Sequence, residues 1–106
     1  MVADRTGALS RTRILKTLRE HDERLRAFSV RKIGLFGSYA KGNETDASDI
    51  DFLVEFEKPT YDNFYNLIEY LESLFGKRVE VLTPSALETM RVEEVAESIR
   101  QGVVYG

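Results

Sequence analysis

Cysteine is absent from the 106 residues, and tryptophan with it. The chain therefore has no disulfide, no thiolate zinc site and no cysteine nucleophile. Its one histidine, His21, cannot build a histidine-rich metal site alone. No apolar stretch approaches the length needed to cross a bilayer, so no membrane role is expected. Met1 to Ser10 has no apolar run of the kind a secretory signal needs, and the expected compartment is the cytoplasm. A dominant charge is missing too. The formal net charge is −3, both signs are mixed along the chain, and there is no basic tail. Strong direct nucleic-acid binding is therefore not expected. A nucleotide stays open as a ligand, because a metal ion can supply the positive charge.

What is present is an ordinary globular composition, 42% hydrophobic and 31% charged, which argues against disorder. The length suits one domain with a thin core. Neither repeats nor low-complexity segments occur. We expect a loose N-terminal segment over residues 1–9 and a single domain over 10–106.

From Ser10 to about Phe28, the apolar residues Ile14, Leu15, Leu18, Leu25 and Phe28 recur at helical spacing among charged ones, predicting a surface helix. His21, amid those charges, is expected to be solvated. Val30 to Phe36 reads as a strand ended by Gly37. Residues 37–48 are rich in Gly, Ser, Asn, Thr and Asp, predicting a loop with one helical turn after Ser38. Asp49 to Phe56 alternates. Ile50, Phe52, Val54 and Phe56 point one way, and Asp49, Asp51, Leu53 and Glu55 the other. After Pro59-Thr60, a helix carries the apolar stripe Phe64, Leu67, Ile68, Leu71 and Leu74 and stops at Gly76. Lys77 to Leu82 reads as a strand. Thr83-Pro84 opens a last helix marked by Val92, Val95, Ala96 and Ile99 and closed by Gly102. Val103-Val104-Tyr105 is a candidate edge strand. This order fits an α+β domain in which helices pack on one small sheet.

Asp49 and Asp51 lie two apart on a strand, so their carboxylates share a face. Two close like charges are unfavourable without a cation between them, and hard ions such as Mg2+ prefer oxygen ligands. Glu80 lies inside the apolar strand, with Val79 and Val81 facing away from it. If that strand pairs beside Asp49–Phe56, Glu80 joins the acidic face. Gly37-Ser38 directly follows a strand. Glycine there lets backbone N–H groups turn toward an anion, and the Ser38 hydroxyl adds a donor. Phosphates held between a Gly-Ser turn and metal-bound carboxylates are what nucleotidyl transfer requires.

The string Leu35-Phe36-Gly37-Ser38-Tyr39-Ala40-Lys41-Gly42, continuing to Ser48-Asp49-Ile50-Asp51-Phe52-Leu53-Val54, resembles the signature of the DNA polymerase β-like nucleotidyltransferase superfamily. Within it the string is most similar to the minimal nucleotidyltransferase (MNT) domain. The likeness runs from about residue 10 to the end. It implies the nucleotidyltransferase fold, a small mixed β-sheet with helices packed on it. It further implies ATP as substrate, two Mg2+ ions, and transfer of AMP to a hydroxyl of a partner macromolecule. Asp49, Asp51 and Glu80 are then the catalytic and metal-binding carboxylates, with Glu80 addressing the acceptor hydroxyl. Gly37 and Ser38 hold the β- and γ-phosphates, with Lys41 and Ser48 as further candidate nucleotide contacts. In relatives the third acid is most often Asp; here it is Glu80. MNT proteins of this size are typically antitoxins that bind a HEPN-domain toxin and in some cases adenylylate a tyrosine on it. A HEPN toxin is therefore the expected partner.

The plainer alternatives are specific. Lys41 either reaches a phosphate or solvates the loop, and Ser48 also suits a turn cap. Tyr39 suits packing. Gly37 to Gly42 has the glycine spacing of a P-loop, but Asn43-Glu44 stands where Lys-Ser/Thr is needed. Tyr61, Phe64, Tyr65 and Tyr70 divide between the core and a candidate partner surface. The alternative function is a catalytically weak or inactive MNT-fold module that neutralises its partner by contact.

Overall fold

The computed structural model describes residues 9–45, 47–88 and 104–105. The expected helical stretch from Val92 to Ile99, its stop at Gly102 and nearly all of the N-terminal segment lie outside them.

The first helix of the sequence pattern is two helices, α1 (Arg11–Glu20) and α2 (Asp22–Ala27). Ser10 caps α1 by accepting from the Arg13 N–H. The break falls at His21, whose φ of −109° and ψ of 22° are not helical. Its ring supplies local compensation, with Nδ1 lying 2.9 Å from the Thr17 carbonyl oxygen. His21 is also half-buried with its ring edge toward Tyr70, which corrects the expectation of a solvated residue. Apolar spacing alone continues through such a break because Ile14, Leu18 and Leu25 still reach one core.

β1 (Val30–Phe36) leads into α3 (Gly37–Lys41), and a loop returns to β2 (Ile50–Phe56). α4 (Tyr61–Phe75) begins at a Thr60 cap and ends at Gly76 in the left-handed region. β3 (Val79–Leu82) and α5 (Pro84–Glu88) follow, and β4 (Val104–Tyr105) returns to the sheet. Thr83 Oγ1 accepts from the Ala86 N–H, the cap expected before Pro84.

The sheet is mixed, with strand order β3-β2-β1-β4. β1 is antiparallel to both β2 and β4, and β2 is parallel to β3. On one face Ile50, Phe52 and Val54 are fully buried with Ile14, Leu18, Leu67 and Leu71. α4 lies on this face, its Phe75 ring 6.0 Å from Phe52 and its Phe64 ring 6.3 Å from Phe56. α2 joins the layer through Phe28, 5.2 Å from Tyr70. The alternate positions of β2 therefore point to the opposite face. That face is not all solvent, since Leu53 is 5% exposed.

α4 puts Leu67 and Leu71 into the core and Phe75 beside Phe52 of the acid-bearing strand, so its start is a sensitive point. Thr60→Ala removes the acceptor for the Asn63 N–H, at 3.1 Å. We expect a loss of about 1 kcal/mol, read from urea unfolding with an unchanged m-value.

Candidate active site

The site is built where β1 ends and β2 and β3 begin. Antiparallel pairing sets Phe36 opposite Asp51, and parallel pairing sets Asp51 opposite Glu80. Asp51 is thus the middle member of a row across three strands. Val79 and Val81 are buried on the core face, whereas Glu80 is exposed, so alternation along β3 turns its carboxylate to the face of Asp51. Asp49, just before β2, is exposed as well.

These groups interact. Asp51 is half-buried and its pKa is raised to about 6. Burial is the largest cause, followed by the negative charges of Glu80 and Asp49 and a side-chain hydrogen bond with Glu80. All four influences push upward. Among the described residues no basic side chain offsets these charges at Asp51. Glu80, opposite Asp51 in the strand pairing, acts on it electrostatically despite its extra methylene.

Gly37 follows β1 at φ 77°, a left-handed conformation that favours glycine. A second constraint is steric: a Cβ on Gly37 would overlap Asp51 Oδ2. The backbone of the Gly-Ser turn and the central carboxylate are therefore in direct contact. Ser38 follows half-buried, in the first turn of α3. Tyr39 and Ala40 are buried and fasten α3 to the core, Tyr39 being the packing residue expected. At the other end Gly42 is left-handed, and the N–H groups of Gly42 and Asn43 both donate to the Ser38 carbonyl oxygen.

Two candidate nucleotide contacts stand differently. Lys41 is exposed on the last turn of α3. Ser48 Oγ accepts from the Thr45 N–H at 2.9 Å, and the Ser48 N–H donates to the Thr45 carbonyl oxygen. Its hydroxyl is thus used in closing the turn before β2. One contact had no sequence signal. Arg11, at the start of α1, donates from its guanidinium to the Ala40 carbonyl oxygen at 3.1 Å and ties α3 to the helical layer. One arginine of three in a charged helix gives no sign of a partner 29 residues away.

Gly37→Ala is expected to leave the core folded but to displace the Asp51 carboxylate, with a loss of about 1–3 kcal/mol from the strained φ and the overlap. Chemical denaturation together with the amide spectrum of residues 49–53 and 80 reads both effects. Asp51 also generates a pH signature. A carboxyl whose folded pKa lies above its unfolded value holds its proton better when folded, so it favours folding at low pH. That advantage is lost as pH rises from 3.8 to about 6. Asp51→Asn should therefore raise stability at pH 7.5 by about 1 kcal/mol after allowance for solvent screening, with the gain vanishing near pH 4. Thermal unfolding of the metal-free protein across that range checks the sign.

Three comparisons bear on this geometry. The family model described as "Nucleotidyltransferase domain" matches residues 13–101. The protein adenylyltransferase MntA of Thermococcus cleftensis is 42% identical over 90 residues, covering 83% of this chain and 87% of that one. Among solved structures, one provisionally named a minimal nucleotidyltransferase superposes with a TM-score of 0.63 at 27% identity, over 85% of this chain and 93% of that one. A toxin–antitoxin structure with AMP-PNP has a TM-score of 0.60 at 22% identity, over 92% of this chain and 72% of that one, a likeness of fold. With the Gly-Ser turn, the paired aspartates and the third strand acid on one face of this sheet, the chain belongs to the nucleotidyltransferase domain family, as one of its minimal members.

Proposed function

We propose that this protein moves AMP from ATP to a hydroxyl on a partner protein, and that it does so as the antitoxin of a toxin–antitoxin pair. The observation that carries the transfer is the row of Asp49, Asp51 and Glu80 set against the backbone of Gly37. The similarity to a protein adenylyltransferase supports ATP and a protein acceptor. The fold likeness to a toxin–antitoxin structure with AMP-PNP is consistent with the partnership. We take the partner to be a HEPN-domain toxin, the acceptor to be a tyrosine on it, residues 10–106 to be the acting domain, and the cytoplasm to be its place.

The donor set fits Mg2+. Carboxylate oxygens are the hard ligands it prefers, and Asp51 feels the negative charges of both Glu80 and Asp49. Among the described residues no three acids form a ready cage. Mg2+ commonly takes one or two carboxylates and completes its shell with water and phosphate oxygens, which suits an open face. Asp49 and Asp51 would hold the ions, with Glu80 beside them. When bound, the metal neutralises phosphate charge and lowers the pKa of a coordinated hydroxyl.

The chain's own residues then have distinct tasks. The Gly37-Ser38 turn receives the β- and γ-phosphates, its glycine allowing close backbone approach and its serine donating a hydrogen bond. The acceptor oxygen attacks the α-phosphorus. A new P–O bond forms, the bond to the bridging α–β oxygen breaks, and pyrophosphate departs. The acceptor's proton passes to a carboxylate, a task we assign to Glu80, which is exposed opposite Asp51. Lys41, exposed at the end of α3, is available to the outer phosphates. Ser48 acts indirectly, by closing the turn that presents Asp49.

The test uses labelled ATP, Mg2+ and the neighbouring gene's product carrying the HEPN Arg-x4-His motif. Label should move to that protein, with the linkage on tyrosine by mass spectrometry. Asp49→Ala or Asp51→Ala should reduce transfer by about 10³-fold, and Glu80→Gln by about 10²-fold while keeping more of the Mg–ATP affinity. Toxin neutralisation that persists in all three variants, with no label transferred by the parent protein, would mean neutralisation by contact alone.

A further inference from the structure

A second surface lies at the other end of β2. Phe56 stands five residues beyond Asp51, about 17 Å along the strand at the usual rise. There a cleft of about 430 Å³ opens between the end of β2, the first turn of α4 and the start of α5. Phe56, Pro59, Phe64 and Pro84 give it apolar walls, and Tyr61 forms its rim. Tyr61 is 82% exposed and Tyr65 59% exposed, and they are the large hydrophobic residues left most open in the described structure. Their rings lie 6.3 Å apart and nearly parallel, at 18°, so they stand stacked in a short aromatic row along α4. Exposed apolar area of this kind beside an open cleft is typical of a contact surface.

The charge around it selects the partner. α4 contains Asp62, Glu69 and Glu72 and no lysine or arginine. Glu72 is turned to its own fold, accepting from the Val79 N–H, whereas Asp62 and Glu69 are exposed beside the tyrosines. Glu55 lines the cleft and is partly neutralised by Arg31 at 3.6 Å, and Glu57, just beyond the end of β2, is exposed. Lys58 is a second basic residue among these acids in the described structure. The same helix also shows which group its tyrosines accept. Tyr70 is covered by the Arg24 guanidinium, 5.7 Å from the ring centre. Tyr61 and Tyr65 present the same ring chemistry to solvent.

We infer that the Tyr61–Tyr65 face and its adjoining cleft dock a basic segment of a partner protein. An apolar side chain of that segment enters the cleft and packs against Phe56, Phe64 and Pro84. An arginine beside it stacks on the tyrosines and pairs with Asp62 or Glu69. A polyanion such as RNA is disfavoured by the same acids. Because the surface is remote from the Gly37-Ser38 turn, it holds a partner without covering the nucleotide site. The inference rests on the proposed function only in taking the partner to be a protein.

The probes are two synthetic peptides with the same Leu-Phe anchor, one flanked by arginines and one by glutamates. Each is titrated into the labelled full chain while amide shifts are followed, with saturating Mg–ATP present. The arginine peptide should shift amides of residues 56–65 and 83–85, and the glutamate peptide should not. The double variant Tyr61→Ala/Tyr65→Ala, altered only at exposed positions, should weaken the arginine peptide by about tenfold, and Asp62→Lys/Glu69→Lys by a similar factor. The docking surface is overturned if neither peptide binds, if both bind equally, or if shifts centre on residues 49–51 and 80. Shifts of 56–65 caused by an RNA oligonucleotide overturn it in favour of a nucleic-acid surface. Calorimetry of Mg–ATP on the same protein keeps the two readings apart. Peptide binding without nucleotide binding defeats the transferase alone, and nucleotide binding without peptide binding defeats the docking surface alone.

Discussion

Asp51 is held where its charge is least welcome, and the rest of the molecule can be understood from how that is done. It is partly buried, it faces Glu80 across the β2–β3 pairing, Asp49 lies two residues before it, and the Gly37 backbone closes the remaining side. Nothing in this set attracts it there. What holds it is the other half of its own strand: Ile50, Phe52 and Val54 are completely buried. A slip of one residue would put those three in solvent and the acids in the core, a change costing several kcal/mol in apolar burial alone. The hydrophobic face therefore fixes the register that forces the carboxylates together.

The Gly-Ser turn is fixed by similar indirect means. α3 has only five residues, far too few to be stable as an isolated helix. Its contacts come from elsewhere: Tyr39 and Ala40 packed in the core, Gly42 ending the helix in a left-handed turn, and Arg11 bonded to the Ala40 carbonyl oxygen from the layer of α1. The turn can then leave its own N–H groups and the Ser38 side chain uncommitted to the core. The rigidity of the turn is thus imported from the core and from α1.

This division of labour explains what was legible in the sequence. β2 was legible because its two faces have opposite chemistry, and α4 because fifteen residues give its apolar stripe time to repeat. Gly37-Ser38 and Asp49-Ile50-Asp51 stood out because their residue types have few other uses at that spacing. The break at His21 was not legible, since a side chain bonding to its own preceding turn leaves the apolar period intact. Nor was the parallel pairing that sets Glu80 opposite Asp51. Strand order depends on how loops and helices pack in space, and periodicity does not encode it. Ser48 shows the opposite difficulty. A serine beside an acidic pair suits a ligand contact or a turn equally in sequence, and only its bond to the Thr45 N–H distinguishes the turn.

The two ends of β2 then divide the chain's negative charge between two purposes. At the Asp51 end, acids are crowded with no countercharge among the described residues, so ionising Asp51 lowers the stability of the fold. Whatever brings positive charge to that point stabilises the folded protein by the same interaction that binds it. At the Phe56 end, Asp62 and Glu69 are spread along an exposed helix beside two open tyrosines, where water screens their repulsion. The first arrangement stores electrostatic strain and suits a small ion of high charge density. The second stores little and suits a large, weakly hydrated cation such as a guanidinium. A net charge of −3 on the whole chain hides this difference, because charge spacing and burial, not total charge, decide what each end can bind.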